Sequence, residues 1–254
     1  MSEILLARDF ARALDPAELA RDCGFEFDRV QAGLLTTPAR KVLVNCCRQF
    51  GKSTVAALVA LHQVLYEAPA MVVLVSPSQP QSTELFTKIH RAWERLSGAP
   101  EAQQESLTRM ELSNGSRIVS LPGSEKTIRG YSAASIVIMD EASRVGDDLL
   151  AAVRPMLATT SGRFFALSTP AGKRGWFYES WTRGEGWERV SVKGSECPRI
   201  APDFLEEERQ ALGPMRFAQE YECQFIDAET SVFATELIEA ALTDEFAPFF
   251  ARAA

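Results

Sequence analysis

One junction constrains this chain more than any other feature. The run from Lys41 to Cys47, KVLVNCC, is short, apolar and β-branched, and reads as a buried strand. It passes directly into Cys46-Cys47-Arg48-Gln49-Phe50-Gly51-Lys52-Ser53, and Ser53 opens an apolar helical stretch that ends near Tyr66. A strand, a turn closing on Gly-Lys-Ser and a helix in immediate succession fit the phosphate-binding pattern GxxxxGK(S/T), with Cys46 standing where the first Gly usually is. The chemistry needs these types at this spacing. Backbone N–H groups at a helix N-terminus wrap the phosphates, the lysine neutralises them and the hydroxyl holds Mg2+. Cys47, Arg48, Gln49, Phe50, Gly51, Lys52, Ser53 and Thr54 are therefore the expected nucleotide-binding residues.

The remaining pattern places that junction in an α/β fold. After the helix, Ala70 to Ser78 reads as a second strand, and Gln81 to Leu96 as an amphipathic helix with Leu85, Ile89, Trp93 and Leu96 on one face. Two alternating stretches flank Asn114-Gly115, a dipeptide suited to the positive φ of a hairpin turn. A strand over SIVIMDEA, a helix over VGDDLLAAVRPML, a strand over GRFFALSTPAG and another over WERVSVKG follow. Strands alternating with helices predict a mostly parallel central sheet with helices on both faces. The boundaries expected are an N-terminal helical segment at 1–24, the core at 25–200, and an acidic helical lid and linker at 201–254, with helix over 202–225.

Two further motifs fall at strand ends. The apolar run Ile136-Val137-Ile138-Met139 delivers Asp140 and Glu141 at its carboxyl end, and ligands in such folds lie beyond the carboxyl ends of the parallel strands. Asp140, with Ser53, is expected to hold the metal, and Glu141 to orient or deprotonate an attacking water. Ser168-Thr169-Pro170, after RFFAL, forms a short polar tip placed to sense a γ-phosphate.

Composition removes other classes. No uninterrupted apolar run approaches the roughly 20 residues needed to span a bilayer, so no membrane partner is expected. The charged N-terminus does not read as a secretion signal, and the expectation is a cytosolic protein. Five cysteines without CxxC spacing and only two histidines support neither a disulfide framework nor a zinc site. The net charge of −7 is unevenly spread, because residues 201–254 hold 12 acids against 3 bases while residues 1–200 hold 24 bases against 22 acids. The first 200 residues remain free to face a polyanion.

Taken together, CCRQFGKS, IMDEA, LSTP and the later run RFAQEYECQFIDAETSVF resemble the ATPase domain of the large terminase subunit of tailed bacteriophages, over residues 25 to 235. Members of that family commonly lack the first Gly of the phosphate loop and carry Arg-Gln in it. The resemblance implies a P-loop NTPase of the additional-strand, catalytic-glutamate (ASCE) type, using ATP and Mg2+ to drive double-stranded DNA into a procapsid. It further implies a ring of copies of the chain, a pentamer, acting with a portal protein and a small terminase subunit in the host cytoplasm and transiently at the portal vertex. By the same resemblance Gln31 contacts adenine, Arg129 acts in trans on a neighbour's nucleotide, and Arg48 competes with it from within the loop. Lys173 and Arg174 are candidate DNA contacts, as are Lys88, Arg91 and Arg95. The family's nuclease domain is not expected within these 254 residues, so DNA cleavage is not. A helicase-like translocase and a nucleotide-gated oligomerisation scaffold stand as alternatives.

Overall fold

The computed structural model describes residues 3–122 and 130–227. In chain order its strands are β1 (Lys41–Cys46), β2 (Met71–Ser76), β3 (Ala102–Glu105), β4 (Arg109–Leu112), β5 (Arg117–Pro122), β6 (Ile136–Asp140), β7 (Arg163–Ser168) and β8 (Glu188–Val192). They form one sheet in the order β3-β4-β5-β2-β6-β7-β1-β8. Every pairing from β5 across to β8 is parallel, whereas β4 runs antiparallel to both β5 and β3. The hairpin expected at Asn114-Gly115 joins β4 to β5. Gly115 has φ +83, and the Asn114 side chain accepts from the Ser116 N–H at 2.9 Å.

The helices are α1 (Glu3–Leu14), α2 (Pro16–Asp22), α3 (Arg29–Thr36), α4 (Lys52–Tyr66), α5 (Gln79–Glu94), α6 (Asp147–Val153), α7 (Gly175–Thr182) and α8 (Pro202–Glu220). The sheet separates two apolar layers, and the period of two along each strand decides which side a residue serves. Val42, Val44 and Cys46 of β1 pack with Leu74, Ile138 and Leu167 against α4 and α5. Leu43 packs with Val73, Val137 and Ala166 against Leu149, Trp176 and Phe177 on the other face. Both faces of the central strands are thus covered, as continuous apolar runs in a parallel sheet require.

Four details depart from the sequence expectation. The N-terminal helical stretch is two helices, because Pro16 lacks an N–H and Asp15 caps the new start by accepting from Ala17 N at 2.9 Å. The stretch around Gln31, to which the sequence pattern assigns no element, is a helix fixed by a capping box between Asp28 and Gln31. β3 is an added edge strand whose residues, AQQE, are largely exposed and carry no apolar alternation. The acidic helix ends at Glu220, and Gly213 (φ 74) with Pro214 breaks its helical geometry in the middle.

Register brings the motifs together. Ser168 is the partner of Asn45 and Leu167 is the partner of Asp140, so β1, β7 and β6 end side by side. The loop after β1, the tip of β7 and the acids of β6 consequently share one edge of the sheet.

Candidate nucleotide site

The loop after β1 is shaped by two left-handed residues, Gln49 (φ 62) and Gly51 (φ 88). Gly51 is required twice over: its φ suits glycine, and a Cβ there would lie 2.8 Å from Nε2 of Gln31. The first two N–H groups of the loop are already used, Cys47 donating to Val192 O at 2.9 Å and Arg48 to Glu220 O at 3.0 Å. Among the described residues no protein acceptor takes the N–H groups of Gln49, Phe50, Gly51, Lys52 and Ser53, while Thr54 and Val55 already donate back to Gly51 O. Five successive free donors on a turn with left-handed residues, at the start of a 15-residue helix, make an anion-binding concavity. The donors therefore begin two residues later than the sequence pattern suggested.

The acids of β6 meet this loop. The Ser53 hydroxyl donates to Asp140 Oδ2 at 2.8 Å, and Lys52 Nζ lies 3.1 Å from Glu141 Oε1. Glu141 sits in the left-handed region (φ 53), an unusual backbone for a residue with a Cβ, and this turns its side chain back toward Lys52. Asp140 is only 5% exposed. Burial raises its pKa above the ordinary carboxylate value and the neighbouring charge of Glu141 adds to this, against the opposing effects of Ser53 and Lys52. For Lys52 burial works to lower the pKa, but Glu141 first and Asp140 after it outweigh burial and hold it above the usual lysine value.

The tip of β7 is bonded to the turn that follows Glu141. Ser143 Oγ lies 2.7 Å from Ser168 Oγ and donates to Thr169 O at 2.8 Å, and the Ser143 N–H donates to Ser168 Oγ at 3.2 Å. Ser168, Thr169 and Pro170 are buried, and Cys46 Sγ reaches Ser168 O at 3.8 Å. All five cysteines are buried free thiols, and burial pushes Cys47 and Cys223 up to about 12.

Gln31 is buried against the loop from below. Its Nε2 donates to Phe50 O at 2.7 Å, and its Oε1 accepts from Asp28 N at 3.2 Å and from Arg199 at 3.1 Å. Arg199, which the sequence reading did not single out, also donates to Phe50 O at 2.7 Å and pairs with Asp28 Oδ2 at 3.0 Å. It lies between β8 and α8, far from both partners in sequence. Arg48 is largely exposed, with Nε 3.6 Å from Glu220 Oε2. Arg129 lies outside the described residues.

Of the candidate DNA contacts, Lys173 is 3.4 Å from Asp227 and Lys88 is 3.3 Å from Glu84, while Arg95 donates to Cys23 O at 2.7 Å. Arg174 is exposed and lines a cleft of about 360 Å³ with Arg144, Arg216, Met215 and Glu220. A larger cavity of about 540 Å³, beside Lys41, Phe164 and Trp187, lies at the opposite, amino ends of the strands.

A metal ion fits the donor set. The carboxylate of Asp140 and the hydroxyl of Ser53 are adjacent hard oxygens suited to Mg2+, which takes few protein ligands and completes its shell with water and phosphate oxygens. No group of three or more His, Cys, Asp or Glu side chains able to hold a metal occurs among the described residues. Nor, among them, is any helix long and apolar enough to cross a membrane.

A phosphate loop after β1, a carboxylate pair after β6, and a further strand, β7, inserted between those two define a P-loop NTPase of the additional-strand, catalytic-glutamate class. The family described as terminase large subunit, T4likevirus-type, N-terminal, matches residues 44–240. The chain belongs to that family. It is 25% identical over 248 residues to the terminase large subunit of Thermus virus P23-45, covering 83% of this chain and 51% of that protein. Its identity to the terminase large subunit of Escherichia phage T5 is 28% over 215 residues, covering 79% and 48%. The chain thus spans about half the length of these relatives. Among solved structures the large terminase ATPase domain of Thermus phage P74-26 shares the fold, with a TM-score of 0.73 and 21% identity over 82% of this chain and 97% of that one. A large terminase from a thermophilic bacteriophage in complex with ADP gives a TM-score of 0.65 at 10% identity, over 79% of this chain and 54% of that one.

Proposed function

We propose that the chain hydrolyses ATP and that the hydrolysis drives double-stranded viral DNA into a procapsid. The observation that carries this reading is the meeting of two pairs, Lys52 with Glu141 at 3.1 Å and Ser53 with Asp140 at 2.8 Å, beside five free backbone donors. A triphosphate seated on the amides of Gln49 to Ser53 brings its negative charge to Lys52 and draws that ammonium from Glu141. The freed carboxylate oxygen then accepts a hydrogen bond from the attacking water and holds it in line. Mg2+, held by Asp140 and Ser53, supplies neutralisation of the charge that builds on the phosphate oxygens. The bonds from Ser143 to Ser168 and Thr169 give the departure of phosphate a route into β7.

The motor is a ring of copies of this chain, a pentamer, in which Arg129 reaches the nucleotide of a neighbour. It works with a portal protein and a small terminase subunit, in the host cytoplasm and transiently at the portal vertex. DNA is held through phosphates rather than bases, which suits a motor indifferent to sequence. Arg174 and Arg216, on the cleft beside the site, are better placed for this than the paired Lys173. A single chain then binds DNA weakly, since few phosphates are neutralised at once.

The test is phosphate release by the chain with ATP and Mg2+, beside Lys52→Ala and an equimolar mixture of Glu141→Gln and Arg129→Ala chains. Loss of turnover in Lys52→Ala, with recovery in the mixture above either parent, is expected. Wild-type turnover by Lys52→Ala would overturn the ATPase reading, and a mixture no better than its parents would remove the shared site.

A further inference from the structure

Arg144 stands three residues beyond Glu141 at the end of a single 3-10 turn, Ala142–Arg144. Its Nη1 lies 2.6 Å from Glu141 Oε2 and donates to Thr169 Oγ1 at 3.1 Å. Its N–H donates to Glu141 O at 2.9 Å, so backbone and guanidinium close a small ring around the acid. Thr169 is 2% exposed and belongs to the tip of β7, whereas Glu141 follows β6. One guanidinium therefore spans two neighbouring strand ends. Among the described residues it is the arginine whose guanidinium pairs with Glu141. It is 40% exposed, on the cleft that Arg174 and Arg216 also line.

The two oxygens of Glu141 are held by different cations: Oε1 by Lys52 and Oε2 by Arg144. These cations are not equivalent toward a triphosphate. Lys52 is part of the phosphate loop and must answer to the nucleotide, while Arg144 is fixed to the turn and to Thr169. When Lys52 is drawn off, Oε1 becomes available and Oε2 stays anchored, so the carboxylate keeps one orientation. A carboxylate without that anchor turns about its last bonds, and the geometry required of a general base is lost.

We infer that Arg144 is the positioning residue that aims Glu141 at the attacking water and ties that aim to the tip of β7 through Thr169. This rests on the ATP-hydrolysis reading above. Arginine suits the role because both contacts come from one nitrogen, Nη1, whose two N–H bonds are fixed in the guanidinium plane, whereas a lysine ammonium on a flexible stem holds two acceptors with less constraint.

The test compares Arg144→Ala, Arg144→Lys, Thr169→Val and the double variant Arg144→Ala/Thr169→Val. Turnover is measured in single turnover with the chain in excess, and ATP affinity and melting temperature are measured alongside. Arg144→Ala should lower the rate of hydrolysis by roughly 10- to 100-fold while ATP affinity changes less than about threefold, and Arg144→Lys should recover part of the rate. Thr169→Val should cost a smaller factor alone and nothing further once Arg144 is gone. A wild-type rate in Arg144→Ala, a fall in affinity as large as the fall in rate, or losses that multiply in the double variant would each overturn the inference. If Glu141→Gln itself keeps full turnover, the assignment of Glu141 to the attacking water fails; if Glu141→Gln is inactive and Arg144→Ala is not, only the role of Arg144 fails.

Discussion

Replacing Glu141 by Gln should strengthen ATP binding at the same time as it abolishes turnover. The reason lies in the contact that ATP must displace. Lys52 and Glu141 are 3.1 Å apart with side chains only 13% and 20% exposed, so water screens their attraction poorly. An exposed ion pair is worth about 0.2–1 kcal/mol, and breaking a buried one costs about 3–5. The glutamine retains the shape and a hydrogen bond from the ammonium but loses the charge–charge attraction, so the cost of drawing Lys52 to the phosphates falls by ~1–2 kcal/mol, between those two limits. At about 1.4 kcal/mol per factor of ten, this is a gain of roughly 5- to 30-fold in affinity. Loss of the Glu141 charge also removes one of the causes that raise the pKa of Asp140, which favours the ionised form that a metal needs. Turnover should fall by roughly 10²- to 10⁴-fold, the range for losing a positioned base. Titration calorimetry with ATP and Mg2+, beside phosphate release, measures both. Weaker binding by the variant would refute the idea that Lys52 is exchanged between carboxylate and phosphate, even if turnover were lost.

Two other variants probe the same edge of the sheet. Asp140→Asn should raise the melting temperature in EDTA at pH 7. The folded protein raises the pKa of Asp140, so its ionisation costs stability above that pKa and costs none below the unfolded value near 3.8. The advantage of the variant should therefore shrink as the pH falls through that window, with about 2–4 °C for each kcal/mol in a chain of this size. An advantage that is constant with pH would contradict the assigned cause. Gly51→Ala forces a side chain into a φ of +88 and against Gln31 Nε2, and should cost about 1–3 kcal/mol in thermal or urea unfolding and weaken ATP binding. Adding Gln31→Ala should return part of that loss, and strictly additive losses would show that the clash is not its source.

The parts of the site that are contiguous in sequence were legible. Lys52 and Ser53 in the loop, Asp140 and Glu141 after an apolar strand, and Ser168 to Pro170 after another each carry their signal within a few residues. The parallel sheet followed from the same alternation, since buried strands and amphipathic helices differ in period. The break at Asp15-Pro16 was written in the sequence as well, in a capping aspartate followed by proline. Other features depend on contacts that no local pattern encodes. Arg199 reaches Phe50 O across 149 positions, and the helix around Gln31 is fixed by a capping box and then pinned by that same arginine. β3 has no apolar alternation because it is an exposed edge held only by β4. The commitment of the Cys47 and Arg48 N–H groups to Val192 and Glu220 was hidden for the same reason: a loop's free donors are known only after its tertiary acceptors.

That last pair of bonds has a mechanical meaning. The N–H of Arg48 grips the carbonyl of Glu220 at the end of α8, and the N–H of Cys47 grips β8. The cradle for the phosphates and the end of α8 are thus fastened to one another by main chain, whatever side chains surround them. A displacement of the end of α8 therefore reaches the cradle, and by reciprocity a ligand that reshapes the cradle shifts the end of α8.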